Sequence, residues 1–250
     1  MSFDIVIPLG PNEKHNFTNQ LDFTKKNIIG YRNIYVITDN SSEFTLDGCI
    51  FIDENIFPFL KFIKEYFATY NNKNNRNCWY FQQLIKLYAG ILIDGVLDNY
   101  LVIDADVFFL KPTHFFENGK IIFSVGYEYH NPYFTHMREL HDSFIKKVNK
   151  SGICHHMMFT RKYINEIITI VETQHKKPFW QVFILSVSEH KNHNILMQES
   201  GASEYELYFN YMISKHSEDI LIRELLWKNI SKRCEFDFSC HFVSVCNWMS

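Results

Sequence analysis

Short apolar runs alternate with amphipathic stretches along the first half of the chain. Three of these runs have the length and composition of strands: "FDIVIPL" (3–9), "NIYVIT" (33–38) and "CIFIDE" (49–54). Apolar residues at helical spacing follow them and predict helices at 57–70 and 78–90, the second ending at Gly90. Such alternation predicts an α/β fold with a mostly parallel sheet flanked by helices.

The second half of the chain shows the same two patterns less regularly. The run after Asp219 is apolar and helix-like. No internal repeat and no linker divides the sequence, so we predict one domain over residues 1–250. The further expected strands lie at 120–127, 153–159 and 240–245, and the further expected helices at 134–149, 160–173, 178–187 and 203–214.

The segment "YLVIDADVFFLKP" (100–112) places two aspartates between two apolar runs. In an extended chain, Asp104 and Asp106 project to the same side. Two like charges about 4 Å apart repel by roughly 4 kcal/mol at an effective dielectric constant of ~20. The sequence therefore predicts a counter-charge beside this pair, either a basic side chain or a divalent cation.

Polar or chain-breaking residues follow three of the predicted strands. Pro8 and Leu9 end the first strand, Asp39 follows the second, and Asp104 with Asp106 follows the aspartate strand. In open parallel sheets, ligands bind beyond the carboxyl ends of the strands. We expect these residues to share one edge of the sheet and to form a binding site there.

Composition narrows the class of protein further. The 250 residues are 46% hydrophobic and 21% charged, and the net charge of −3 gives no basic field for nucleic acid. No segment is apolar and long enough to span a bilayer, and "MSFDIVIPLG" lacks a signal-peptide pattern, so we expect a cytoplasmic protein. The six cysteines form no CxxC pair and are expected to be free thiols. Cys234, Cys240 and His241 match no zinc-site spacing.

The helix before the aspartates and a segment after them resemble a known family. The sequence is similar to GT-A-fold glycosyltransferases, and within them to a branch with a Trp-Tyr-x-Gln-Gln-x-x-Lys helix. That branch also has a Ser-Glu-Tyr-Glu segment, matched here at 203–206. The resemblance is sharp over 79–112 and 201–211 and loose elsewhere. The matching helix residues are Trp79, Tyr80, Gln82, Gln83 and Lys86.

The resemblance implies a GT-A-like, Rossmann-type fold with a nucleotide-binding half at 1–112 and an acceptor half at 113–250. Asp104 and Asp106 would then be a DxD motif that holds Mn²⁺ or Mg²⁺ against the diphosphate of a nucleotide sugar, with UDP-sugar the expected donor. Oxygen ligands suit these hard cations. Ala105 is small enough to leave room for the nucleotide. The acceptor would be a glycan, a protein or a lipid.

The resemblance also nominates residues around the motif. Gln82 and Lys86 share one helix face and would contact the nucleotide or sugar, although a solvated helix face is the alternative for Lys86. Asp39 would bind ribose or base, or would merely end a strand. His241 would be the third metal ligand, or a core histidine. Pro8 and Leu9 complete the expected nucleotide contacts.

A catalytic base must be a carboxylate if the reaction inverts the anomeric configuration. Glu204 stands in the first turn of the predicted helix at 203–214, where a helix-dipole role is also natural. Glu206 is its rival. His155 and His156 would line the acceptor pocket, or His155 would simply alternate with core residues.

Two other functions fit part of the sequence. A haloacid-dehalogenase-type phosphatase would use Asp104 as nucleophile and Asp106 as acid/base, with Ser124 as that family's strand-ending serine. About a hundred residues of α/β pattern before the motif argue against it. A GT-A-like domain that binds a sugar nucleotide or glycan without turnover is the non-enzymatic alternative.

Overall fold

A computed structural model describes residues 1–43, 45–68, 76–188, 200–231 and 235–245. Its strands are β1 Phe3–Pro8, β2 Tyr31–Thr38, β3 Cys49–Asp53, β4 Asn99–Ile103, β5 Val107–Phe109, β6 Phe116–Glu117, β7 Lys120–Ser124, β8 His156–Thr160, β9 Ile220–Arg223, β10 Trp227–Ile230 and β11 Phe242–Val245. Its helices are α1 Phe17–Asn27, α2 Leu60–Ala68, α3 Asn77–Leu92, α4 Asn131–Leu140, α5 Arg161–His175, α6 Phe179–Ser188 and α7 Glu204–Lys215. Within this part of the chain, no helix combines the length and hydropathy needed to cross a bilayer.

A five-stranded sheet forms the centre of the fold, in the order β3-β2-β1-β4-β8. Its first four strands are parallel, and β8 runs antiparallel to β4. The strands β1 and β4 are almost entirely buried, as expected for parallel strands covered on both faces. The prediction of an α/β protein with a mostly parallel sheet is confirmed.

Two small three-stranded sheets flank the central one. One has the order β10-β11-β5 and the other β6-β7-β9. The aspartate segment connects the central sheet to the first of them, because β4 ends at Ile103 and β5 begins at Val107. The Val107 amide donates to the Asp104 carbonyl at 3.0 Å, which closes a tight turn over the two aspartates. The aspartates therefore lie at a junction between sheets.

Two sequence expectations are wrong in detail. The helix expected at 134–149 ends at Leu140, and beyond it the His141 Nδ1 atom accepts a hydrogen bond from the Ser143 amide in a turn. The helix-like run after Asp219 is strand β9, which pairs in parallel with β7. Pairing with an existing strand therefore decides the structure of a short apolar run whose periodicity is ambiguous. Cysteines 49, 78, 154 and 240 are free thiols as expected, while Cys234 and Cys246 lie outside the described residues.

Gly90 does not end α3, which continues to Leu92. A Cβ atom at Gly90 would lie 2.3 Å from Cε1 of Tyr100, a buried residue of β4. The Tyr100 hydroxyl donates to the Leu87 carbonyl at 2.9 Å, which fixes its ring against the helix. Gly90 therefore allows α3 to pack closely against β4. In the sequence, a glycine at this position cannot be distinguished from one that ends a helix.

His156 opens β8 in an aromatic environment. The ring is 1% exposed and meets Phe109, Phe115 and Phe242 at centroid distances of 5.0, 5.6 and 4.9 Å. Neither ring nitrogen has a hydrogen-bond partner among the described residues. Burial, reinforced by the positive charge of Arg223, lowers the pKa of His156 to about 3.

His156 should make the protein less stable in mild acid. In the unfolded chain it titrates near its ordinary pKa of about 6.5, so below that pH the unfolded state binds a proton that the folded state does not. Stability is therefore lost as pH falls, by about 2 kcal/mol at about pH 5 from this group. His156→Leu should flatten the pH dependence of the unfolding free energy, measured by urea titration between about pH 7 and 5. An unchanged slope would contradict the neutral, buried imidazole.

Candidate functional site

Four strand ends meet at the carboxyl edge of the central sheet. Leu9, Asp39 and Asp104 directly follow the parallel strands β1, β2 and β4. Strand β8 runs the other way, and the pairing of Ile103 with His156 brings its first residue to the same edge. The expectation that the strand-end residues share one edge is confirmed by this topology.

A cavity of about 410 Å³ opens at this edge between β1, β2 and α3, and we call it the strand-end cavity. Apolar side chains from α2 and α3 form much of its wall. Asp39 accepts a hydrogen bond from Lys14 Nζ at 2.6 Å, and this bond lowers the pKa of the carboxyl group. Four residues that the sequence nominated for nucleotide contacts line it, namely Pro8, Leu9, Asp39 and Gln82.

A second concavity of about 420 Å³ contains the aspartates, and we call it the acidic cleft. Trp79 lines both the acidic cleft and the strand-end cavity, so the two are neighbours. The cleft brings together ionisable side chains from several separate segments, among them Lys86, Asp104, Asp106, His155 and Glu204.

Lys86 supplies the counter-charge that the aspartate pair requires. Its Nζ atom lies 2.6 Å from Asp104 Oδ1 and 2.8 Å from Glu204 Oε1, and its side chain is only 5% exposed. Burial opposes its charge, but the two carboxylates outweigh burial and raise the pKa of Lys86 above its ordinary value. The ammonium also lies 4.4 Å from the ring centroid of Tyr205, a favourable cation–π distance. The solvated-face alternative for Lys86 is therefore wrong.

Asp104 is held ionised by its surroundings. Burial opposes its charge, yet the Lys86 ammonium and then His155 outweigh burial and hold the pKa of Asp104 below its ordinary value. The Tyr205 hydroxyl donates to Asp104 Oδ1 at 3.0 Å, and His155 Nδ1 lies 3.6 Å from Asp104 Oδ2. Oδ1 of Asp104 is thus bound by Lys86 and Tyr205, and Oδ2 faces His155.

Asp106 has the opposite electrostatic environment. Burial, followed by the negative charge of Asp104, raises the pKa of Asp106 above its ordinary value. Ser244 Oγ donates to Asp106 Oδ2 at 3.1 Å. The other oxygen, Oδ1, is buried and has no hydrogen-bond partner in the part of the chain that the structure describes. A buried carboxylate oxygen without a donor is destabilising unless a cation or proton meets it.

The residues present fit a divalent cation. Asp104, Asp106 and His155 each offer one ligand atom, and the three atoms lie within 4.8 Å of one another. The lone oxygen of Asp106 and the Asp104 oxygen that faces His155 are the donors that such an ion would use. His155 has a φ of 61°, a left-handed backbone that is uncommon outside glycine and is often retained at functional sites.

His241 does not belong to this group of ligands. Its Nδ1 atom accepts a hydrogen bond from the Leu226 amide at 3.2 Å, and its carbonyl accepts from the amides of Leu110 and Lys111. It helps to join β5 to the segment before β11. His155, and not His241, lies beside the two aspartates, and its spacing from them in the chain gave no signal of this.

The two candidate base residues face different surroundings. Glu204 lines the acidic cleft, where burial raises its pKa although Lys86 opposes the increase. Glu206 is fully buried behind the cleft and accepts hydrogen bonds from Ser151 and Asn210. Ala105 is buried in the turn between the aspartates.

Fold and site together define an α/β protein with a carboxylate- and imidazole-lined cleft at the carboxyl edge of its parallel sheet. The chain belongs to a family of unknown function, DUF6492, whose model matches residues 32–228. A search of curated proteins finds no match. Among solved structures, the apo form of mouse xyloside xylosyltransferase 1 is similar over 99% of both chains, with 11% identity and a TM-score of 0.47.

Removing the Lys86 charge should destabilise the protein strongly. Lys86→Met keeps most of the side-chain volume but leaves Asp104 and Glu204 buried without their cation, at a cost of about 3–5 kcal/mol. Lys61→Met is the matched control, because Lys61 is 85% exposed and lies 3.8 Å from Glu65 in a surface pair worth at most about 1 kcal/mol. The free energy of unfolding of each variant is measured by urea titration. A loss below about 1 kcal/mol in Lys86→Met would show that the ammonium is not the required counter-charge.

Proposed function

We propose that this protein is a metal-dependent glycosyltransferase, which moves a sugar from a nucleotide-sugar donor to an acceptor. The observation that carries the proposal is the group formed by Asp104, Asp106 and His155 beside the strand-end cavity. A cation site next to a largely apolar cavity suits a ligand with a diphosphate at one end and a nucleoside at the other. The sequence resemblance to GT-A glycosyltransferases supports the same function.

Asp104, Asp106 and His155 would hold the metal ion, Mn²⁺ or Mg²⁺. When bound, the ion supplies positive charge that neutralises the departing nucleoside diphosphate. The imidazole favours Mn²⁺, because Mg²⁺ binds through oxygen ligands and retains its waters. Lys86 keeps Asp104 ionised and in place, so a ligand carboxylate is present at neutral pH.

The strand-end cavity would hold the nucleoside, with UDP as the proposed nucleotide. Pro8 and Leu9 offer an apolar wall and backbone groups at the end of β1. Asp39 and Gln82 offer polar contacts for the ribose or base, and Asp39 already accepts a hydrogen bond from Lys14. Trp79, which lines both concavities, would flank the diphosphate where the nucleotide passes from one to the other.

Glu204 would deprotonate or orient the acceptor hydroxyl. It faces the acidic cleft, and burial raises its pKa towards the range where a carboxylate is an effective base. Lys86 fixes its position through the 2.8 Å contact. The acceptor, whether glycan, protein or lipid, would approach from the open side of this cleft.

The two alternative functions predict different observations. In the phosphatase, Ser124 should end a strand of the same sheet as the aspartate strand, but it ends β7, which belongs to the small sheet with β6 and β9 and not to the central sheet of β4. A non-catalytic sugar-nucleotide-binding domain would bind donor and metal but never release the diphosphate. Measuring that release from a sugar donor separates the enzyme from the binding domain.

Metal and nucleotide should bind together. UDP with Mn²⁺ should raise the melting temperature more than either alone, since a ligand that binds only the native state stabilises it. Asp106→Asn removes one ligand charge without touching Lys86 and should abolish the added shift. Asp22→Asn, at an exposed position of α1, is the control and should keep it. GDP and CDP in the same assay test the choice of nucleotide, and an undiminished shift in Asp106→Asn would refute the metal assignment.

Glu204→Gln should separate chemistry from binding. The amide preserves the shape of the side chain, so donor binding should stay nearly intact while transfer falls by about 10²–10⁴-fold, the usual worth of general base catalysis. Single-turnover transfer measured beside a donor titration distinguishes the two effects. Glu166→Gln, a partly exposed carboxylate on α5 outside both concavities, is the control. Full activity in Glu204→Gln would place acceptor activation elsewhere, or indicate a mechanism that retains anomeric configuration.

A further inference from the structure

The first turn of α7 is only half of an ordinary capping box. Ser203 is the N-cap, and its side chain accepts a hydrogen bond from the Glu206 amide at 3.2 Å. In a capping box, the glutamate at this position bonds back to the N-cap amide. Here the Glu206 side chain turns instead towards residues 146–153, which precede β8. A helix-capping role therefore does not account for it.

Glu206 is fully buried, and each of its oxygens has polar partners. Ser151 Oγ donates to Oε1 at 2.5 Å, and Asn210 Nδ2 donates to Oε2 at 2.7 Å. Lys146 Nζ lies 3.6 Å from Oε2. Replacing such a buried ionic group with apolar residues is often neutral or stabilising in other proteins. Stability alone is therefore a weak reason for this residue to be ionisable.

The partners of Glu206 fix one continuous piece of backbone, residues 146–153. Ser151 Oγ accepts from the Ile153 amide at 3.0 Å, and Asn210 Oδ1 accepts from the Lys147 amide at 2.9 Å. Gly152 packs so closely on α7 that a Cβ atom there would lie 2.7 Å from the Tyr205 carbonyl oxygen. We call this piece the clamped segment, because α7 holds it at both ends.

The clamped segment leads directly to His155. Two residues after Ile153, His155 takes up its left-handed backbone, and its carbonyl accepts from the Asp104 amide at 3.0 Å. Ile153 and His155 both line the acidic cleft. A shift of the clamped segment would therefore move the imidazole relative to Asp104 and Asp106.

We propose that Glu206 is a positioning residue, which holds the clamped segment so that His155 completes the metal-binding group with Asp104 and Asp106. The proposal rests on the proposed metal site. Glu206 is not a base in this arrangement, because the structure puts its carboxylate behind the cleft wall rather than in the cleft. Its contribution passes through Ser151 and the backbone to His155. Outer groups of this kind typically change metal affinity by about 10–100-fold.

A double-mutant cycle on Mn²⁺ affinity tests this route. Glu206→Gln should weaken Mn²⁺ binding by about 10–100-fold, measured from the electron paramagnetic resonance signal of the free ion. In a His155→Ala background, the same change should have almost no further effect, because the ligand that it positions is gone. Ser151→Ala should reproduce the loss if Glu206→Gln folds poorly. Glu166→Gln, which also neutralises a carboxylate that is hydrogen-bonded to a tyrosine and a histidine, should leave affinity unchanged.

Equal losses in the two backgrounds, or no loss in either, would overturn the proposal. Hydrogen exchange supplies a second readout that needs no metal. Glu206→Gln should speed exchange of the Ile153 and Asp104 amides, and unchanged protection at Asp104 would likewise overturn the proposal. If the parent protein binds no Mn²⁺, the metal-dependent function fails and this proposal fails with it. If the parent binds Mn²⁺ and only the cycle fails, the proposed function stands.

Discussion

A buried lysine between two carboxylates is the interaction on which the site depends. Lys86 bridges Asp104 on the turn after β4 and Glu204 at the start of α7, and it thereby joins α3 to both. Without it, the cleft would hold several carboxylates and too little positive charge in a poorly solvated space. With it, Asp104 remains ionised and Asp106 becomes the carboxylate that most needs a further cation.

The sequence predicted either of two counter-charges beside the aspartate pair, and the structure has room for both. A basic side chain and a divalent cation looked like alternatives from the sequence. In the structure, Lys86 satisfies Asp104 on one oxygen and leaves the other oxygen facing His155, while Asp106 keeps an unpartnered oxygen among the described residues. The counter-ion and the proposed cation therefore have different oxygens and do not exclude each other.

The strands of the central sheet and the location of the site could be predicted, because both depend on local patterns. Apolar runs marked β1, β2 and β4, and the polar residues that follow parallel strands must share one edge. The partners of Lys86 could not be predicted, since helical spacing shows which residues share a face but not what that face meets. The contacts of His155 and Ser244 with the aspartates were missed for the same reason, because they join distant segments. Gly90 shows that one residue type can signal either a helix stop or close packing.

The aspartate turn lies between two sheets, and this has a consequence for folding. Asp104 follows β4 of the central sheet, whereas the Asp106 carbonyl accepts from the Val245 amide and its carboxylate from Ser244, 138 residues away in sequence. Contacts between such distant residues close a long loop of chain, so their formation costs conformational entropy and is slower than that of local contacts. An intermediate with the central sheet formed but β11 undocked would hold Asp104 in place and leave Asp106 unanchored. The group proposed to bind a cation would therefore be complete only after β11 has docked, and not with the central sheet alone.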